Sequence, residues 1–75
     1  MKPALKALRQ EIQPKVTQDE IAKLVGIKTA TYARIEQGYN TTYTTAKTIL
    51  QILNKKRKDK GLNEVALDDL GLTIV

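Results

Sequence analysis

Apolar residues recur along the chain at spacings that predict a succession of short helices. Leu5, Leu8 and Ile12 are helically spaced behind Pro3, a residue suited to a first turn, so a helix is predicted over 3–12 and ended by Pro14. Thr17 followed by Glu20 reads as a capping box, in which Thr17 caps the backbone and Glu20 reaches back. Ile21, Leu24 and Val25 then form the stripe of a second helix over 18–25, stopped by Gly26 at a left-handed turn. A third helix is predicted over 29–37, with Tyr32 and Ile35 inward and Gly38 as its stop. Thr42 caps a fourth, whose Ala46, Ile49, Leu50 and Leu53 face inward and which Gly61 closes. Past Gly61 the period changes: Leu70, Leu72 and Ile74 alternate with Gly71, Thr73 and Val75, the pattern of a short strand.

These elements predict a small all-α fold of four to five helices over 1–60, with a strand-like tail over 61–75. At 75 residues there is room for one domain, and a core this small leaves a thin margin of stability that oligomerisation would supplement. The sequence contains no Cys, His, Ser, Phe or Trp, which removes disulfides, Ser-His and Cys-His nucleophiles and zinc-histidine sites together. No cofactor is expected. No spacing sets two carboxylates face to face as an acid–base pair, so an enzyme is not expected either. There is no apolar run of membrane-spanning length and no secretory signal, so a cytoplasmic location is expected. Three tyrosines are too few to build a stacking platform for single strands.

Charge sharpens the picture once it is divided. All 13 Lys and Arg lie within residues 1–60, beside Glu11, Asp19, Glu20, Glu36 and Asp59, whereas 61–75 hold only Glu64, Asp68 and Asp69. A basic body with an acidic tail suits a polyanionic partner for the body alone, or simply a lysine-rich solvated surface. The run Lys55, Lys56, Arg57, Lys58 and Lys60 has the same two readings, as phosphate contacts or as cations complementing a helix C-terminus.

Two short helices joined by a glycine turn in a basic chain have the geometry of a helix-turn-helix. In that arrangement Ala22 is small so that the third helix can cross the second, and Gly26 bends the chain without a Cβ clash. Ile21, Val25, Ile27, Tyr32 and Ile35 lock the two helices at a fixed angle. Lys28, Thr29, Ala30, Ala33, Arg34 and Gln37 remain outward, free to enter a major groove.

Residues 17–38, TQDEIAKLVGIKTATYARIEQG, resemble the Xre-type helix-turn-helix, the lambda-repressor-like family, with a looser likeness over 5–54. The resemblance implies that Gln18 contacts a phosphate, that Thr29, Ala30, Ala33 and Arg34 read base edges, and that Gln37 touches the backbone. It also implies a structural ion pair between Arg9 and Glu36. By residue type Arg34 suits guanine or, equally, a phosphate or a carboxylate, and Thr29 and Ala30 suit thymine methyls or a close backbone approach. The chain departs from the family in a longer segment between Arg9 and Gln18, in Lys28 where Ser or Thr is common, in a shorter loop after Gly38, and in the absence of a fifth helix.

The function implied is a sequence-specific double-stranded DNA-binding regulator of a prokaryote or phage, repressor-like and homodimeric. The alternative is an interaction module, such as an antitoxin, whose acidic tail docks a protein partner. Leu70, Leu72 and Ile74 are the expected dimerisation residues, because a lone strand needs a partner edge and no other segment alternates; the alternative is a tail that folds back as a lid over the helical core of its own subunit.

Overall fold

Four α-helices and a 3-10 turn follow one another in the computed structural model, which describes residues 4–75: α1 Leu5–Gln10, α2 Gln18–Val25, α3 Thr29–Gln37, α4 Tyr43–Asp59 and the turn Leu67–Leu70. Pro3, the expected first-turn residue, lies outside the described residues. α2 and α3 occupy the ranges that their caps and apolar stripes dictate. α1 is shorter than its apolar spacing suggests, because the residue before Pro14 is disfavoured in the helical region and the chain leaves the helix at Glu11. Ile12 is nevertheless fully buried, carried inward by the turn rather than by a helix face.

α2 and α4 are each started by a threonine. Thr17 Oγ1 accepts the Glu20 N–H at 3.1 Å, and Thr42 Oγ1 accepts the Thr45 N–H at 3.2 Å. The capping box at Thr17 is only half formed, since the Glu20 carboxylate turns away to meet Lys56 of α4 at 2.5 Å. Leu5, Ile12, Ile21, Tyr32, Ile49, Leu53 and Leu70 are fully buried and meet in one core to which every helix contributes. Leu50, expected inward, is only partly buried at its margin.

The tail is not a free strand. Its first half makes the 3-10 turn, and Leu70 enters the core while its carbonyl accepts the Ala4 N–H at 3.0 Å. Beyond Gly71 the chain runs parallel to Thr41, a single bridge opposite Ile74, with Thr41 N–H donating to Thr73 and Val75 N–H donating to Thr41. The partner that alternation alone could not supply is therefore a buried threonine in the α3–α4 connection of the same chain. Asn54 of α4 fastens the approach, exchanging two 2.9 Å hydrogen bonds with the backbone of Val65. The expectation of a strand reserved for a second subunit is corrected to this extent: Leu70 is spent on its own core.

Two arginines also lie inside. Arg57, read from sequence as part of a solvated or phosphate-binding run, is 6 % exposed. It donates to Glu11 Oε1 at 2.7 Å and to the carbonyls of Leu8 and Asn63, joining the end of α4 to α1 and to the tail. Arg9 meets Glu36 through two contacts, Nε to Oε2 at 2.7 Å and Nη2 to Oε1 at 3.2 Å, and donates from Nη1 to the Val16 carbonyl at 2.7 Å. Burial by itself raises the Glu36 carboxyl pKa, but the hydrogen bonds from Arg9 and neighbouring groups outweigh it, and the net shift is downward. Arg9 moves up, chiefly through its hydrogen bond to Glu36. The Tyr32 hydroxyl is buried beside the pair without a well-formed hydrogen bond, and desolvation, then the Glu36 carboxylate, push its pKa up.

Breaking such a pair leaves a buried charge uncompensated, at a cost of roughly 3–5 kcal/mol, a large part of the few to ten or so kcal/mol that holds a domain of this size. Glu36→Gln should therefore lower the urea midpoint far more than Glu64→Gln, a change at an exposed carboxylate expected to matter by less than about 0.5 kcal/mol. Because the folded-state pKa of Glu36 is lowered, its contribution is complete above the ordinary value of 4.5 and is lost as pH falls through the depressed one. The stability of the parent chain should thus decline on acidification below pH 4.5, and that of Glu36→Gln should decline less over the same window.

Candidate nucleic-acid interface

The turn between α2 and α3 is set by Gly26, whose φ of 90° lies in the left-handed region that side-chain-bearing residues rarely adopt. A Cβ at Gly26 would meet nothing within 4 Å, so the requirement is conformational and not the steric one expected from sequence. Both the Gly26 and the Ile27 N–H donate to the Ala22 carbonyl, at 2.9 and 3.0 Å, which closes α2 and aims the chain into α3. Ile21, Ala22, Tyr32 and Ile35 are buried where the two helices cross, with Val25 and Ile27 packed at the edge.

This packing fixes which residues of α3 face outward. Lys28, Ala30, Arg34 and Gln37 are exposed, and Thr29 and Ala33 are half-buried. Lys28 stands at the N-cap in extended backbone and provides no side-chain cap. The Arg34 side chain makes no ion pair or hydrogen bond among the described residues, which leaves its guanidinium available. Thr31, unremarked in the sequence, is also exposed on this helix.

Gln18 opens α2 half-buried, and its amide donates from Nε2 to Glu36 Oε1 at 2.9 Å. One amide hydrogen is thereby tethered to the buried ion pair and the second is left to point elsewhere. The interface is thus coupled to the core at its edge, a link that helix periodicity does not reveal.

Asp19 is the residue that the sequence reading overlooked. Its Oδ1 accepts a hydrogen bond from the Thr29 hydroxyl at 2.7 Å, and its Oδ2 lies 3.1 Å from Lys23 Nζ one turn along α2. The hydroxyl first, and then Lys23, hold the Asp19 carboxyl below its ordinary pKa. The Asp19–Lys23 spacing was visible in the sequence as an i, i+4 pair, but its reach across to α3 depends on the crossing of the two helices.

Beyond α3 the surface continues through exposed Tyr39 and Asn40 to the start of α4, where Lys47 Nζ stands 5.7 Å from the Tyr43 ring centroid. The expected dimerisation residues are dispersed: Leu70 is in the core, Leu72 is half-buried and Ile74 is 38 % exposed. Among the described residues no three His, Cys, Asp or Glu side chains converge to hold a metal ion, and no helix is long and apolar enough to cross a membrane.

Comparison with known proteins agrees with this geometry. A family model described as helix-turn-helix matches residues 5–60, from the start of α1 to the end of α4. No curated protein and no solved structure gives a significant match. With most of the chain covered by the family model and the two crossed helices in place, the chain belongs to the Xre-like, lambda-repressor-like helix-turn-helix family of DNA-binding regulatory domains.

Proposed function

We propose that this protein represses transcription by occupying an operator, with α3 lying in the major groove of double-stranded DNA. The observation that carries the reading is the outward face of α3, where an Arg34 side chain with no partner among the described residues stands beside small residues that permit close approach while the buried face locks the helix to α2. Arg34 is suited to a bidentate contact with guanine, with Thr29, Ala30 and Ala33 against neighbouring base edges. Gln18, Lys28 and Gln37 border the face and serve as backbone contacts. The chain would act in the cytoplasm of a prokaryotic host.

One recognition helix covers a short target, so the reading includes a homodimer placing two such helices about 34 Å apart on successive major grooves. Supporting it, Tyr39, Tyr43, Ile74 and Val75 are large, exposed and gathered at the two sides of the Thr41–Ile74 bridge. Ile74 and half-buried Leu72 keep the dimerisation role, while Leu70 supports it from within the core.

Three measurements follow from this. Affinity for duplex DNA should fall steeply with salt, as Lys and Arg release counterions, and a flat dependence would contradict the nucleic-acid reading. Arg34→Ala should relax preference at one base position per half-site by roughly 1–3 kcal/mol, whereas Gln18→Ala should weaken all sequences about equally. A uniform loss from Arg34→Ala would make that residue a phosphate contact instead. Finally, deleting residues 71–75 should turn the sedimenting species from dimer to monomer; an unchanged association state would remove the tail from the dimer surface.

A further inference from the structure

We propose that Asp19 determines base preference at the leading end of the recognition helix by fixing the Thr29 hydroxyl as an acceptor toward the DNA. This rests on the reading of α3 as the helix that enters the major groove. Thr29 is the first residue of α3, and its Oγ1 lies 2.7 Å from Asp19 Oδ1. An ionised carboxylate only accepts, so in this pair the hydroxyl must donate its single proton. The other Asp19 oxygen lies 3.1 Å from Lys23 Nζ one turn along the same helix, an exposed pair that favours this orientation of the carboxylate. A carboxyl held below its ordinary pKa by these two neighbours stays charged throughout the neutral range.

A threonine hydroxyl normally donates or accepts, and for that reason discriminates poorly between base edges. With its proton committed to Asp19, Thr29 presents lone pairs alone. In the major groove the groups that donate to such an oxygen are the exocyclic amines, N6 of adenine and N4 of cytosine; guanine N7 and O6 and thymine O4 are acceptors and are disfavoured. The carboxylate charge beside the hydroxyl acts in the same direction, favouring a donor and opposing another acceptor. Thr29 should therefore select adenine or cytosine on the contacted strand. The competing role is structural. Lys28 offers α3 no side-chain cap, and the Asp19–Thr29 bond would then serve only to hold the start of that helix.

Selection from a random duplex library, using the full chain and its Asp19→Ala and Thr29→Val variants, separates these roles. The parent chain should yield a motif in which one position per half-site prefers adenine or cytosine by about three- to tenfold, the scale of one exposed hydrogen bond. In Asp19→Ala that preference should flatten, or admit guanine and thymine, while the positions read by Arg34 stay as they were. Thr29→Val should lose selectivity at the same position. The proposal is overturned if Asp19→Ala retains the parent motif at every position, even where urea unfolding shows it to be less stable. It is equally overturned if that position prefers guanine or thymine in the parent chain. A parent chain that selects no motif at all would overturn the reading of α3 as well, so the two failures are distinguishable.

Discussion

The buried Arg9–Glu36 pair is the constraint on which the remainder of this small fold depends. It joins α1 to α3, and through the Val16 carbonyl and the Gln18 amide it also holds the segment that begins α2. Three parts of the chain are thus fixed by two side chains. An ion pair in a core commonly gains little over apolar packing, because desolvation offsets the attraction. Its value here is directional: a bidentate contact with one further donor, Gln18, and one further acceptor, the Val16 carbonyl, specifies one arrangement of three helices, where apolar contacts alone tolerate several.

That arrangement accounts for the character of the outer face of α3. Tyr32 and Ile35 point inward beside the pair, so Lys28, Ala30, Arg34 and Gln37 point outward with no freedom to rotate into the core. Gln18 lies at the boundary, with one of its two amide hydrogens on Glu36 and the second uncommitted. A change in the core is therefore transmitted to the rim of the interface by a single hydrogen bond. Asp19 plays a related part between α2 and α3 at the surface, where its carboxylate spans the two helices. At the opposite end Arg57 and Asn54 do the same for the tail, holding it by backbone carbonyls and amides that lack any sequence signature.

What the sequence made legible follows from which interactions are local. The limits of α2 and α3 could be read because Thr17, Gly26 and Gly38 act on their own neighbours, through a cap and two left-handed stops. The outward face of α3 could be read because helical period alone places Tyr32 and Ile35 opposite it. The end of α1 could not be read from Ile12, whose apolar character reports burial and not helicity. Arg57 was lost in a run of like charges because Glu11 and the Leu8 carbonyl come from a distant part of the chain, and the nearby Asn63 carbonyl carries no side-chain signal. The tail misled for a similar reason. Alternation reveals that a segment has two unlike faces, and a chain crossing the edge of its own core next to Thr41 satisfies that as well as a strand in a dimer. The Thr29 hydroxyl bond to Asp19 is tertiary and leaves no local trace.

The most direct test of the central constraint is a double-mutant cycle between Arg9 and Glu36, with each replaced by Met singly and together and each protein unfolded in urea. If the pair defines the arrangement of the helices, either single change leaves a buried charge and is strongly destabilising. The double variant, which removes both charges into a well-filled apolar site, should then be more stable than either single one, with a coupling of roughly 1–3 kcal/mol. Losses that simply add to within about 0.5 kcal/mol would contradict the account, since two residues that do not sense one another cannot be the contact that holds the helices in place.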